Sequence, residues 1–306
     1  MSTIVILQQM LVIAVLALIG FGLEKKGTVD GLTSKKLSAI VVDICNPALI
    51  LASILTGDLT AERSDLLIAM VAGACFYAFL ILLGFILPKI LKTSGEESRY
   101  YHLMTVYTNT GFIGIPVARA VLPDNAILYV IVINVFYSLL FYTHGLTVLS
   151  GGKEKPDLRK AINPGTVMAL LSLAVFWFKL KFPPLIQDTI TYIGNATIFL
   201  SMVLLGVSIA RSRFTSALKD LRIWGYILLR MILVPAAVLI LLKGLRLNSD
   251  LIPALVLMSA VPVGNLPMIQ AERLGMDTKT LSSAIALTTV ISLATITVFL
   301  SLSATL

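Results

Sequence analysis

Long apolar segments recur along the whole sequence and constrain its fold more than any other feature. A helix needs about 20 apolar residues to cross the hydrocarbon core of a bilayer. Runs of that kind lie at about 3–23, 36–56, 66–91, 100–122, 125–149, 163–181, 185–210, 223–245, 251–273 and 279–303. The sequence therefore predicts an all-α integral membrane protein with ten transmembrane helices.

The composition agrees with a membrane environment and excludes other classes of protein. The 306 residues are 58% hydrophobic and 13% charged, with a mean hydropathy of +0.95, whereas soluble domains average about 45–50% apolar and about 25% charged. The net charge of +8 comes from short basic clusters between apolar runs, which is typical of loops at a membrane surface and not of a nucleic-acid interface. Both cysteines lie inside apolar runs, and no spacing of metal ligands occurs, so we expect no disulfide framework, no metal and no cofactor.

The basic residues predict the orientation of the chain in the membrane. The first, third, fifth, seventh and ninth loops carry 17 of the 24 Lys and Arg residues, and the even-numbered loops carry six. Because basic loops remain on the cytoplasmic side, both termini are expected outside a cytoplasmic (inner) membrane. The first run lacks a basic n-region and is followed by Glu24-Lys25-Lys26, which indicates a retained helix.

The two halves of the sequence share short matches at a nearly constant offset. Ile44-x-Asn46 returns 149 residues later as Ile193-x-Asn195, and Gly114-Ile115-Pro116 has a counterpart 151 residues later in Asn265-Leu266-Pro267. Five helices per half would place the second copy upside down in the bilayer, as in many secondary transporters. The sequence thus predicts inverted repeats over residues 1–149 and 163–306 of a single transmembrane unit.

The fourth and ninth runs carry helix-breaking residues at corresponding positions. The fourth contains Asn109-Thr110-Gly111 followed by Gly114-Ile115-Pro116, and the ninth contains Pro262-Val263-Gly264-Asn265-Leu266-Pro267. Proline removes a backbone donor and glycine adds conformational freedom, so both helices are predicted to be broken and to cross at mid-membrane. Paired breaks are the best sequence pointer to a transporter binding site; the alternative is a pair of ordinary proline kinks with polar caps.

The chemistry expected at such breaks suits a carboxylate. A half-helix that begins at a break directs free N–H groups and a positive dipole end into the cavity. Asn46 and Asn195 occupy matching places in the repeat, where they would either line the path or bridge helices. The predicted substrate-binding residues are Asn109, Thr110, Gly111, Gly114, Pro116, Gly264, Asn265, Pro267, Asn46 and Asn195.

Other polar residues lie within the apolar runs. Asp43 precedes Asn46 by about one turn, and an intramembrane carboxylate is a functional candidate by default. It is predicted to couple a proton or a cation, and the alternatives are pairing with a base such as Arg230, a structural hydrogen bond, or a position nearer the membrane interface. Arg230 is interpreted mainly as a residue that snorkels to the surface, with a role in binding the substrate as the alternative. Asn134 and His144 are interpreted as interhelical hydrogen-bonding residues.

At these residues the sequence resembles the auxin efflux carrier family, which includes plant PIN-type auxin exporters and bacterial malonate and malate permeases. The resemblance covers nearly the whole chain. It is clearest in Thr108-Asn109-Thr110…Gly114-Ile115-Pro116, in Asn163-Pro164 and in Ala260-Val261-Pro262-x-Gly264-x-x-Pro267. Only residues 150–162 join the halves, so a compact bacterial permease is a closer match than a plant exporter with its long cytoplasmic loop.

The resemblance implies a fold like that of sodium/proton antiporters. Helices at about 3–56 and 163–210 would form a scaffold and the contact of a homodimer, and helices at about 66–149 and 223–303 would form a moving transport domain. Asn109 matches the family asparagine where the broken helices cross, and Pro116 and Pro267 match the family prolines there. An elevator motion would expose the substrate to each side in turn.

These observations predict a carrier, not an enzyme, that moves small organic anions such as malonate or malate by secondary active or facilitative transport. One alternative is a sodium-coupled symporter of the same fold. Another is a membrane sensor that binds the ligand without translocating it. An intramembrane enzyme would need a catalytic pair, and the spacing of Asp43 and His144 does not suggest one.

Overall fold

The computed structural model describes residues 3–211, 218, 220–245, 247 and 249–305. This part of the chain is helical throughout, apart from its loops and one isolated bridge. A short helical turn, Leu158–Ala161, lies in the loop between the halves. The main helices are α1 (Thr3–Lys25), α2 (Gly31–Leu55), α3 (Arg63–Ile90), α4a (Gly95–Val106), α4b (Thr110–Val121), α5 (Asp124–Leu149), α6 (Pro164–Phe178), α7 (Pro184–Arg211), α8 (Leu221–Gly244), α9a (Leu251–Ala260), α9b (Leu266–Arg273) and α10 (Lys279–Thr305).

Seven of these helices, α1, α2, α3, α5, α7, α8 and α10, are long and apolar enough to cross a membrane, and α4b, α6 and α9a are shorter apolar helices. The fourth and ninth apolar runs are each divided into two shorter helices, as the sequence predicts. The prediction of an all-helical integral membrane protein is therefore confirmed, whereas the count of ten spans stays a prediction.

The odd-numbered loops gather at one end of the bundle, which we call the basic end. Arg211 at the end of α7 forms a 2.7 Å ion pair with Glu24 at the end of α1. Arg222 at the start of α8 forms a 2.7 Å ion pair with Glu97 of α4a. Arg99 of α4a donates to the last carbonyl of α5 at 2.9 Å. These contacts join the first, third, fifth and seventh loops.

The even-numbered loops meet at the opposite end. The backbone N–H of Asp58 donates to the carboxylate of Asp124 at 2.8 Å, which joins the second and fourth loops. Asn125 donates to Asp250 at 3.2 Å, which adds the eighth, and Arg63 donates to a carbonyl near the end of α6 at 3.0 Å. Successive loops thus alternate between the two ends of the bundle.

Helices α1 and α7 pack at backbone contact because glycine is present on both. A Cβ atom at Gly20 would overlap the Val203 carbonyl, and one at Gly206 would overlap the Ala17 carbonyl. Gly194 also brings α7 close to α2, because a Cβ there would lie 2.9 Å from the Cα of Leu49. Small residues allow such close approach between membrane helices, so α1, α2 and α7 form one tightly packed group.

Several helices contain a π turn followed by proline. Proline cannot donate to the carbonyl one turn earlier, and a wider turn is one way in which a helix accommodates that loss. The helices are therefore distorted at these prolines and continue past them. The π turns followed within two residues by proline are Val41–Cys45 before Pro47, Thr110–Gly114 before Pro116, and Leu228–Leu233 before Pro235.

Candidate functional site

The two interrupted helices cross at their breaks. Thr108, between α4a and α4b, forms an antiparallel bridge with Val263, between α9a and α9b. The backbone N–H of Asn109 donates to the Pro262 carbonyl at 2.8 Å, and that of Gly264 donates to the Tyr107 carbonyl at 3.1 Å. Backbone groups freed inside a membrane protein need such partners. We call this pairing the crossover.

The crossover requires glycine at position 264. A Cβ atom there would lie 2.9 Å from the Tyr107 carbonyl oxygen and 3.0 Å from that of Thr108, both of them backbone atoms. The other predicted glycines are less constrained. A Cβ at Gly114 would crowd the flexible end of the Met258 side chain, at 2.9 Å, and would lie at an ordinary 3.5 Å from the Asn109 carbonyl oxygen. One at Gly111 would have its nearest neighbour at 3.6 Å.

The break in the fourth run precedes the residues that were expected to cause it. The interruption covers residues 107–109, and the Gly111 to Pro116 stretch is helical, with Pro116 in α4b just after the π turn. The expectation that this stretch breaks the helix is therefore wrong. In the ninth run, Pro262 and Gly264 do lie in the interruption. Pro267 lies in the first turn of α9b, where a backbone N–H would have no carbonyl partner within the helix, so the proline costs no hydrogen bond there.

Asn109 and Asn265 stand at the N-termini of the second half-helices. The side-chain oxygen of Asn109 caps α4b by accepting from the Phe112 N–H at 3.1 Å. The oxygen is thus used in the cap. The side-chain amide nitrogen has no partner among the described hydrogen bonds and is the group that could donate to a ligand. Asn265 is the N-cap residue of α9b and forms no side-chain cap, so its half-buried amide is not used by the helix that it begins.

A cavity of about 170 Å³ lies against both asparagines. Its walls come from α2, α4b, α7 and α10 as well as from the start of α9b. No charged side chain of the described residues lines it. Besides apolar side chains, it is lined by Ser34, Ser38, Asn109, Ser201, Ser208, Asn265 and Thr289.

This cavity continues toward the basic end of the bundle. A larger cavity of about 740 Å³ shares Ser34, Ser208 and Asn265 with it. The larger cavity is lined by Arg211 and Lys279 as well as Asp220, and the two cations are ion-paired with Glu24 at 2.7 Å and with Asp277 at 3.9 Å. We call it the vestibule. The vestibule leads to the cavity that the two asparagines line.

The serines of the cavity were missed in the sequence analysis. Ser34 and Ser38 are four residues apart on α2, and Ser201 and Ser208 are seven residues apart on α7. Both spacings place the hydroxyls on one face of a helix, and this polar stripe in an apolar helix was the available signal. The Ser201 hydroxyl is buried without a hydrogen-bond partner in the described structure.

A separate amide cluster lies on α4b. Thr110 donates from its hydroxyl to the Asn134 side-chain oxygen at 3.2 Å, which confirms Asn134 as an interhelical hydrogen-bonding residue. The Asn46 amide nitrogen lies 3.6 Å from the position that a Cβ of Gly111 would occupy, and its side-chain oxygen is buried without a partner among the described atoms. This cluster consists of Asn46, Thr110, Gly111 and Asn134. None of these residues lines the cavity or the vestibule.

Two further predicted residues lie outside the crossover region. Asn195 and Asp43 are both exposed on the surface of the chain, and neither lines the cavity or the vestibule. Asp43 does not pair with Arg230, because the guanidinium of Arg230 donates to the Thr105 and Ser259 carbonyls instead. Arg230 is completely buried, so its interpretation as a snorkelling residue is wrong.

His144 makes the interhelical contact that was predicted for it. Its Nδ1 atom lies 2.8 Å from the hydroxyl of Tyr107, which also donates to the Leu140 carbonyl at 2.9 Å. The ring centroid of His102, the other histidine of the chain, is 5.1 Å from that of His144. These contacts hold Tyr107, the first residue of the break in the fourth run, against α5.

Comparisons with known proteins identify the family of the chain. A family model described as a membrane transport protein matches residues 5–159 and 153–300. The chain is 28% identical over 298 residues to an uncharacterized transporter of Methanocaldococcus jannaschii, covering 92% of this chain and 94% of that one. It is 26% identical to an uncharacterized transporter of Methanothermobacter thermautotrophicus, covering 94% of both chains.

A more distant relative comes from a bacterium. The uncharacterized transporter YfdV of Escherichia coli is 22% identical over 288 residues, covering 90% of this chain and 91% of that one. These matches extend over both halves of the sequence and over both interrupted helices. The chain belongs to the membrane transport protein family, that of the auxin efflux carriers.

Proposed function

We propose that this protein is a secondary active or facilitative carrier of small organic anions, mono- or dicarboxylates such as malonate or malate, and that it works by an elevator-type alternating-access mechanism. One observation carries the proposal: the crossover places Asn109 and Asn265, at the N-termini of α4b and α9b, on a single cavity with no charged side chain among its described lining residues.

The chemistry of that cavity favours a carboxylate. Each helix N-terminus carries a positive pole of about half an elementary charge, and the asparagine amides add neutral donors. Burying an anion there does not require a cationic side chain in the cavity. A cavity of about 150 Å³ can hold a molecule the size of benzene, so the 170 Å³ present here fits an acid with six or seven non-hydrogen atoms. A larger acid would extend into the vestibule.

The position of the cavity supports an elevator mechanism. One wall comes from α2 and α7, which belong to the closely packed group with α1, and the other comes from α4b, α9b and α10. In the proposal the first group is the scaffold and the crossover moves with the transport domain. Sliding one wall along the other would close the path to the vestibule and open one to the opposite end.

The ten-span inverted repeat is part of the same proposal. Alternation of the loops between the two ends is what successive membrane crossings would produce. The antiparallel bridge between Thr108 and Val263 is what two copies of opposite orientation would give. In this proposal the basic end is cytoplasmic, the termini lie outside a cytoplasmic membrane, and the protein is a homodimer, which chemical cross-linking in native membranes would test.

The test is uptake of labelled malonate, malate, lactate and indole-acetate into proteoliposomes, with sodium, pH and voltage set separately. Asn109→Ala is expected to weaken binding by roughly 1–3 kcal/mol, since it removes a buried donor and the α4b cap. The matched control is Asn195→Ala, an exposed asparagine outside the cavity and the vestibule, which should transport as the wild type does.

The outcomes separate this proposal from its alternatives. Saturable flux that Asn109→Ala reduces and Asn195→Ala does not would support a carrier with its site at the crossover. Flux that strictly requires sodium would favour the symporter. Ligand binding without flux would favour a sensor. Equal affinity in the wild type and in folded Asn109→Ala would place the substrate elsewhere.

A further inference from the structure

Arg230 holds both interrupted helices by their C-terminal ends. It lies in the π turn of α8 and has no exposed surface. Its Nε donates to the Thr105 carbonyl at 3.0 Å, and its Nη1 donates to the Ser259 carbonyl at 2.5 Å. Thr105 is the penultimate residue of α4a and Ser259 is the penultimate residue of α9a. One guanidinium therefore spans the two helix ends that stop at the crossover.

The partners of Arg230 are carbonyl oxygens and not carboxylates. No ion pair of the described residues includes Arg230, and its Nη2 atom is buried without a hydrogen-bond partner. A charged side chain inside a membrane protein is costly and is usually offset by an opposite charge or by a functional role. The charge balance around the crossover indicates which charge could offset this one.

Four helix ends meet near Arg230. The C-termini of α4a and α9a carry negative poles of about half a charge each, and the N-termini of α4b and α9b carry positive poles of the same size. Arg230 therefore compensates the two negative poles. The two positive poles face the cavity, whose described lining contains no acidic residue. The crossover as a whole is left with about one uncompensated positive charge.

We propose that Arg230 is the fixed counter-charge of the transported anion and that it makes the site selective for a single negative charge. This inference rests on the carrier and the binding site of the proposed function, and it narrows the substrate class given there from mono- and dicarboxylates to monocarboxylates, with malonate and malate as poor substrates. A bound monoanion brings the crossover close to neutrality, whereas a neutral molecule leaves one positive charge buried and a dianion introduces one negative charge in excess. In this proposal Arg230 does not touch the substrate. Its positive charge, fixed on the far side of the crossover, determines which charge of substrate the site prefers.

The size of the effect follows from the distance. Thr105, which Arg230 contacts, and Asn109, which lines the cavity, are four residues apart, so at most about 14 Å separates their Cα atoms, and we take about 14 Å as the distance between the guanidinium and the bound carboxylate. For two unit charges at that distance and an effective dielectric constant of about 20, Coulomb's law gives roughly a five- to tenfold effect on the Kd. A shorter separation makes the effect larger.

The test is ligand binding to the purified full-length protein in detergent, measured by calorimetry. The probes are acetate, lactate and indole-acetate, the neutral amide of each acid, and the dianion malonate. The variants are Arg230→Gln, Arg230→Lys and a control, Lys243→Gln. Lys243 is a cation near the far end of the same helix, and the only described hydrogen bond of its side chain is a 3.4 Å contact with the Leu302 carbonyl.

The wild type is expected to bind at least one monocarboxylate and to bind its amide and malonate at least five times more weakly. Arg230→Gln should bind that acid five- to tenfold more weakly with little change for the amide, and Lys243→Gln should match the wild type. Arg230→Lys should keep the affinity within about threefold although it melts at a lower temperature, because it keeps the charge and loses the two-carbonyl geometry. If Arg230 only stabilised the fold, the affinity of its variants for the acid would fall in step with their melting temperatures.

Two results would overturn the inference alone: folded Arg230→Gln with unchanged affinity for the acid, or a wild type that binds malonate as well as it binds the monocarboxylates. If Arg230→Gln does not fold, a folded Arg230→Lys that has lost acid binding tenfold also overturns the inference, and one that keeps acid binding supports it. A wild type that binds none of these acids would contradict the proposed function itself, and this inference with it.

Discussion

Replacing Gly264 by alanine tests whether the crossover is formed as the structure shows it. The added Cβ would lie 2.9 Å from the Tyr107 carbonyl oxygen, 3.0 Å from the Thr108 carbonyl oxygen and 3.1 Å from the Thr108 carbonyl carbon. All three are backbone atoms of the opposite segment, so no side-chain rotation can relieve the overlap. The bridge between the two breaks must open instead.

The cost can be assembled from its parts. Inserting a methyl group into a packed interior costs about 1–3 kcal/mol. Opening the bridge weakens two buried hydrogen bonds, of 2.8 and 3.1 Å in the structure, at about 1 kcal/mol each. Alanine also restricts the unfolded chain more than glycine does, which stabilises the folded state by about 0.5–1 kcal/mol. We therefore expect Gly264→Ala to lower the free energy of unfolding by about 2–4 kcal/mol.

Gly111→Ala is the matched control, since it makes the same change in the other interrupted helix. A Cβ there would have its nearest neighbours at 3.6 and 4.0 Å, which are ordinary contacts. Thermal unfolding in detergent, followed by tryptophan fluorescence, should show Gly264→Ala melting on the order of 5–10 °C below the wild type and Gly111→Ala melting close to it. Equal melting temperatures for all three proteins would refute the close backbone approach at the crossover.

Gly206→Ala should strongly destabilise the packing of α1 against α7, because its Cβ would overlap a backbone carbonyl of α1. Gly22→Ala is the control, since no atom lies within 4 Å of its Cβ, and it should elute and melt as the wild type does. Size-exclusion profiles and melting curves check this pair, and equal behaviour would argue against the contact. Tyr107→Phe removes a hydroxyl that bonds a carbonyl at 2.9 Å and an imidazole at 2.8 Å; it should lower stability by about 1–2 kcal/mol, and an unchanged melting temperature would contradict those bonds. In a background without native cysteines, Thr60→Cys should react with a membrane-impermeant maleimide in intact cells and Lys153→Cys only after permeabilisation. The reverse pattern would invert the proposed orientation.

The sequence was sufficient to locate the interrupted helices and two residues of the cavity. Asn109 and Asn265 were identified from their position beside breaks, and breaks are encoded locally by proline, glycine and polar residues. The same reasoning misplaced the break in the fourth run, because Pro116 is accommodated by a π turn. Asn195 was chosen by its match to Asn46 in the repeat, but a match in sequence does not define which face of α7 the residue occupies.

The remaining parts of the site depend on contacts between distant helices. The partners of Arg230 are backbone carbonyls, which are the same in every residue, so no pattern of side chains could have pointed to Thr105 and Ser259. The serines of α2 and α7 are ordinary residues of apolar helices until the two helices face the same cavity.

The amino-acid sequence by itself determined that the chain is helical, that it lies in a membrane and that two of its helices, in the fourth and ninth apolar runs, are interrupted. These properties follow from apolar content and from backbone chemistry that acts within a few residues. Only the tertiary structure decided that the two interruptions pair, that one buried arginine holds their helix ends and that an uncharged cavity lies between α2, α7 and the crossover. Those features depend on which faces of helices far apart in the chain pack together, and the packing is set by shape and close contact over the whole molecule.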